Sequence, residues 1–292
     1  MHSAAHSSSL ALVLNFHHQQ LNDMIRNIKY WDTMRPRKHS DGKRRVHVVF
    51  YVDVDDKHQV EPMRKTIEVA WQRDASQAVR GMFDGAAFEV VHYNGLNQYP
   101  DVPCEKLFDT WSMLNRIGRF GAFFNMEPDC TPIRSGWVDR LLEESVVSEK
   151  DEIAGDAFWQ KGSTVRCHES AGNGRNQLDF HFNGASLYRV GTRNEEFEQY
   201  RKRVREFYPS DGQGRAAGCH GFNRQHNFKF DGDDLCLYWY RRDPDNYAYV
   251  RTVEQHFLTR HFVSNMCKDD FSPTEYAEKH PGVYLVHGNA AI

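Results

Sequence analysis

The chain has 292 residues, 40% apolar, 26% charged and 13% aromatic, which suits a folded globular protein and excludes a disordered, collagen-like or disulfide-scaffold chain. Lysine plus arginine at 37 against aspartate plus glutamate at 40 leaves a net charge of -3, so no global field recommends nucleic acid or an anionic membrane, and phosphate recognition has to be local. No apolar run approaches the roughly 18 to 20 residues of a membrane span, and the six cysteines lack any CxxC pair, which argues for reduced thiols over a structural zinc site.

Residues 1–9 are small and polar and read as a flexible leader. Leu10 to Phe16 is an apolar run of strand length, and Leu21, Met24, Ile25 and Ile28 then recur at helical spacing within His18 to Met34. A basic loop with Pro and Gly, Arg35 to Arg45, leads to a second strand, Val46 to Val54, followed by the acidic Asp53, Asp55 and Asp56 at its end. The alternation continues with a helix over Met63 to Val79, a strand over Ala87 to Tyr93, a helix over Glu105 to Ile117 and a strand over Phe120 to Met126. Nearly continuous apolar strands separated by helices predict an α/β fold whose mostly parallel sheet is covered on both faces, with ligands beyond the carboxyl ends of the strands. Past that point the pattern is less regular. A helix is expected over Trp137 to Val147, a loop at Gly172 to Arg175, a strand over Asp179 to Val190, a charged helix over Glu195 to Phe207, a further helix over Leu235 to Arg241, and a strand over Val283 to Asn289. No low-complexity linker divides residues 10–292, so one domain is expected.

Chemistry concentrates in Asn125 to Leu141, NMEPDCTPIRSGWVDRL. Glu127 and Asp129 lie two apart after a buried strand, where an extended backbone would point both to one side. Close carboxylates need a compensating cation, and hard oxygen ligands suit Mg2+ or Mn2+ bridging to a diphosphate; a solvated turn or helix cap beside Pro128 is the other reading of the same residues.

The phrase MEPDCTPIRSGWVDRL, with its preceding strand and Trp-centred helix, resembles the DxD-containing region of GT-A-fold nucleotide-sugar glycosyltransferases, here as an ExD variant. Gly155 to Gly162 and His181 to Gly191 resemble the strand and small-residue loop of that superfamily, and the late VHG segment resembles its returning metal-binding histidine. Together the EPD, NGASLYRVG and VHG segments are similar to small soluble transferases of algae, protists and large algal viruses. The resemblance implies a GT-A-like fold with a nucleotide-binding half at 10–130 and an acceptor-side half at 131–292. It implies metal-assisted transfer of a sugar from a nucleotide-diphosphate donor, UDP-sugars favoured, to a glycan or other hydroxyl acceptor. The metal ligands it implies are Glu127, Asp129 and His287, with Mn2+ or Mg2+ as cofactor.

For the donor it implies contacts from Asn15, Phe16 and His17, with Phe16 packing on the base, from Lys106 near the diphosphate, and from Asn183 and Gly184 beside the sugar. Asn-Gly is equally a tight-turn dipeptide. Asp234, then Asp233, is the expected base of an inverting reaction, although either aspartate also suits a helix N-cap. Aromatic residues of the second half, Trp159, Phe180, Phe182, Tyr188, Tyr208, Trp239, Tyr240, Tyr247 and Tyr249, serve sugar stacking or the core. A GT-A-like fold kept for carbohydrate binding without catalysis is the alternative function. No HExxH or His-x-His pattern supports a hydrolase, and the basic Arg35 to Arg45 loop alone does not make a nucleic-acid site. Without an Asn-x-Ser/Thr sequon, a cytoplasmic setting is expected.

Overall fold

The structure, a computed structural model, describes residues 9–37, 44–93, 101–146, 158–163, 185–190 and 256–292, with 195, 199 and 202 as isolated helical positions. Strand β1 (Leu10–His17) pairs in parallel with β2 (Val46–Asp53) on one side and β4 (Ala122–Met126) on the other, and β3 (Gly85–Val91) extends the sheet beyond β2. Past β4 come β7 (Leu187–Arg189), antiparallel to it, then β6 (Gln160–Gly162) and β8 (Phe257–Thr259). Among the described residues the sheet therefore has seven strands in the order β3-β2-β1-β4-β7-β6-β8.

Alternation along β1 sorts its side chains between two cores. Leu10, Leu12, Leu14 and Phe16 face α1 (Leu21–Tyr30), α2 (Val60–Asp74) and α5 (Trp137–Ser145), where Met24, Ile28, Ile67, Trp71, Trp137 and Leu141 are buried. Ala11 and Val13 face the opposite way, against Leu107, Trp111 and Leu114 of α4 (Asp101–Ile117). Helices thus cover both faces, as the near-continuous apolar strands require. Each large side chain so buried contributes about 1.5–3 kcal/mol relative to exposure.

Two boundaries differ from the periodic reading. The first predicted helix begins with a separate 3-10 turn, His18–Gln20, because His17 caps it: the His17 ring accepts from the Gln19 N–H, and Gln20 returns a side-chain bond to the His17 backbone. The second breaks at Ala75, and Ser76 restarts a short α3 (Gln77–Arg80) by accepting from the Val79 N–H.

A smaller three-stranded sheet, β5-β10-β9, was not expected from sequence. It consists of β5 (Cys130–Pro132), β9 (Val263–Phe271) and β10 (Leu285–Ala290), with α6 (Pro273–Lys279) between the last two. Arg134 fastens this C-terminal unit to the segment after β5, donating to the backbone carbonyls of Val283 (3.0 Å), His280 (3.4 Å) and Ala277. Among the described residues no helix is long and apolar enough to cross a membrane.

Candidate metal centre

The strand order places β2 and β3 on one side of β1 and β4 on the other, so the connections diverge between β1 and β4. That is the switch point at which open α/β sheets bind ligands, outside the carboxyl ends of the strands. Asn15 and Asn125 lie there, tied by Asn15 Nδ2 donating to Asn125 Oδ1 over 3.0 Å.

Beyond β4 the backbone does not stay extended. The Cys130 N–H donates to the Glu127 carbonyl over 3.0 Å, closing a turn with Pro128 in its second position, where a fixed φ is already suitable. The expectation that an extended strand aligns the two carboxylates is corrected: the turn brings them together. Asn27, 1% exposed, holds the turn from behind by donating to the carbonyls of Cys130 (2.7 Å) and Pro128 (3.2 Å). Asn27 was missed in the sequence; its signal is a polar side chain in the apolar stripe of α1, between Met24 and Ile28.

The third member arrives from β10, where His287 lies opposite Cys130 of β5 and Asn265 of β9. The register shifts between His287 and Asn289, and the Gly288 N–H in between donates to the Asp129 carbonyl over 3.0 Å. A Cβ on Gly288 would stand 3.2 Å from the Asp269 carbonyl oxygen and 3.3 Å from Met266 Cβ, so glycine permits this close approach. His287 Nε2 ends 3.0 Å from Asp129 Oδ1 and 3.5 Å from Glu127 Oε2, and donor atoms of the three residues all lie within 4.8 Å of one another.

Neighbouring donors around an octahedral ion at about 2.1 Å stand about 3.0 Å apart, so the 3.0 and 3.5 Å spacings from His287 to the two carboxylates are close to those of a shell around a small divalent cation. The side chains of Glu127 and Asp129 are 31% and 37% exposed while that of His287 is 9% exposed, which makes the imidazole the back wall and leaves the carboxylates open to solvent. Burial pushes the His287 imidazole down, yet Asp129 and Glu127 together hold it well above its usual value: the pocket favours positive charge. Burial, and then the same two carboxylates, push the Cys130 thiol up, which keeps it neutral and removes it as a nucleophile.

A second group, His17, His18 and Asp55, gathers at the ends of β1 and β2, also with donor atoms within 4.8 Å. His17 Nε2 is 3.1 Å from Asp55 Oδ1, and His18 Nε2 is 3.6 Å from Asp55 Oδ2. Here the far nitrogen of His17 accepts the Gln19 N–H, so the proton belongs on Nε2, pointed at the carboxylate. That tautomer makes His17 a hydrogen-bond donor and leaves it no lone pair for an ion.

Lys106 is neither a solvated lysine nor a free cation. It is 5% exposed and its ammonium donates to Asp53 Oδ1 over 2.6 Å; burial lowers its proton affinity, while Asp53 and then Glu127 pull the other way. Phe16 requires a correction. At 1% exposure it belongs to the core on the α1 side of β1, on the face opposite Asn15 and His17, so its ring has no surface to offer a base. Trp159 stacks on His256 with centroids 4.3 Å apart and Tyr188 on Phe123 at 4.9 Å, both as core residues. Asn183, Gly184, Asp233 and Asp234 lie outside the described residues, as do Phe180, Phe182, Tyr208, Trp239, Tyr240, Tyr247 and Tyr249.

No family model matches the sequence and no curated protein matches it. Among solved structures the chain is similar to mouse xyloside xylosyltransferase 1 in its apo form, with a TM-score of 0.46 and 11% identity over 96% of this chain and 98% of that one.

Proposed function

We propose that this chain is a metal-assisted glycosyltransferase that moves a sugar from a nucleotide-diphosphate donor, UDP-sugars favoured, to a glycan or other hydroxyl acceptor. The observation that supports it is the convergence of Glu127, Asp129 and His287 beside the crevice between β1 and β4. The resemblance of the EPD, NGASLYRVG and VHG segments to GT-A enzymes points the same way.

In this reading Glu127, Asp129 and His287 would hold Mn2+ or Mg2+, which when bound would supply Lewis-acid neutralisation of the diphosphate. Asn27 keeps the carboxylate turn in shape. Asn15 and His17, on the β1 face away from Phe16, border the nucleoside, and Asn183 and Gly184 border the sugar. Transfer is inverting: the acceptor oxygen bonds to the anomeric carbon as the bond to the phosphate oxygen breaks, and a carboxylate oxygen of Asp234, or of Asp233, takes the acceptor's proton.

The test is a thermal-shift panel of UDP-, GDP- and CMP-sugars with and without Mn2+, since a ligand held at 100 times its Kd stabilises by about 2.7 kcal/mol. A shift that needs a UDP-sugar and Mn2+ together is expected. Shifts that ignore Mn2+, or none with any donor, contradict the proposal.

A further inference from the structure

This inference rests on the metal-site reading and concerns the side of His287 that faces away from the carboxylates. His287 Nδ1 lies 3.2 Å from Asn265 Oδ1, and the two residues are directly opposite on the parallel pair β10 and β9. Both are buried, Asn265 at 1% and His287 at 7%. An amide oxygen can only accept, so a proton sits on Nδ1, and Nε2, which turns toward Asp129 and Glu127, is the nitrogen that gives up its proton when an ion takes that place.

We propose that Asn265 is the positioning residue of the metal site, fixing the tautomer and the ring orientation of His287 so that Nε2 is the nitrogen offered to the ion. An amide buried this deeply is costly unless its hydrogen bonds are made, and the bond from His287 Nδ1 is one of them. The bulge at Gly288 follows at once and ties the next backbone N–H to Asp129, so the strand cannot slide and the ring keeps one facing partner on each side. Outer partners of this kind orient a ligating imidazole and raise its basicity. At His17 the arrangement is reversed, the far nitrogen accepting instead of donating, which shows that the fold does not impose one tautomer on every histidine near a carboxylate.

The experiment titrates the full chain with Mn2+ alone, followed by the paramagnetic resonance of the free ion, beside thermal melts in chelator. Asn265→Leu is expected to weaken Mn2+ by about 10- to 100-fold, the range for loss of an outer-shell partner, with a lower chelator melt because the His287 Nδ1–H loses its acceptor. Asn265→Asp, which keeps an oxygen that can only accept, is expected to bind Mn2+ at least as well as the wild type, and it carries the test alone should Asn265→Leu not fold. Wild-type affinity in Asn265→Leu, or equal loss in Asn265→Asp, overturns the role of Asn265. If His287→Ala loses Mn2+ while Asn265→Leu keeps it, only this inference fails. If the wild type itself does not bind Mn2+, the metal-site reading fails and takes the inference with it.

Discussion

Two histidine–carboxylate clusters stand near the carboxyl ends of neighbouring strands, one after β1 and β2, the other where the turn after β4 meets β10. In each, donor atoms lie within 4.8 Å of one another, so proximity does not tell them apart. The hydrogen bond on the far ring nitrogen does: His287 donates there to Asn265, so its inward Nε2 can give up a proton to an ion, while His17 accepts there from Gln19 and keeps its proton on Nε2. Charge separates them as well. At the β1–β2 side Lys106 is paired with Asp53, whereas at the turn two carboxylates surround one imidazole and leave room for a cation. A compact set of ligating residue types suits an ion only when the surrounding bonds let the inward nitrogen give up its proton.

The largest expected effect breaks the structural side of this contrast. Lys106→Met leaves Asp53 buried without its cation and should cost about 3–5 kcal/mol in urea unfolding, as loss of one partner of a buried pair does. Adding Asp53→Leu should recover most of that loss. A single variant as stable as the wild type would show that the pair is solvated.

The next effect sharpens the functional side. Asp129→Ala should weaken Mn2+ binding on the order of 10²-fold or more, at least as much as removal of an outer partner, while Asp55→Ala leaves it within about twofold. Calorimetry with Mn2+ alone reads both. Equal losses in the two variants would erase the distinction between the clusters.

The smallest effect concerns the cap. His17→Ala should cost about 1 kcal/mol, the usual loss for a removed N-cap, and leave Mn2+ affinity unchanged. A thermal melt beside the same titration checks it, and a drop in Mn2+ affinity would make His17 a ligand after all.

Much of the parallel sheet was legible because its strands carry their own signal: Leu10 to Phe16 and Val46 to Val54 are apolar on both faces, as strands covered from two sides must be. The residues of the candidate site were legible as residue types, and the structure brings Glu127, Asp129 and His287 together. The means of bringing them together was not. A four-residue turn replaced the extended strand because Pro128 suits its second position and Asn27 satisfies the carbonyls that the turn exposes, and no local period announces a bond between residues 27 and 130. The small sheet escaped for a related reason. Strand β5 is three residues long and ends in Pro132, tolerable because among the described residues this is an edge strand, and β9 carries Asn265, Lys268, Asp269 and Asp270 in place of an alternating apolar pattern. Phe16 misled because an aromatic at a strand end was read without its face, which parity with Leu10, Leu12 and Leu14 assigns to the core.

The most direct test of the metal centre is anomalous scattering at the manganese edge from a crystal of the full chain grown with Mn2+ and UDP. One peak is expected, bounded by Glu127, Asp129 and His287, with His287 Nε2 and a carboxylate oxygen at about 2.0–2.2 Å, ordinary coordination distances for such donors. A peak at His17, His18 and Asp55 instead, or one with the His287 ring beyond about 5 Å and so outside any coordination distance, would contradict it.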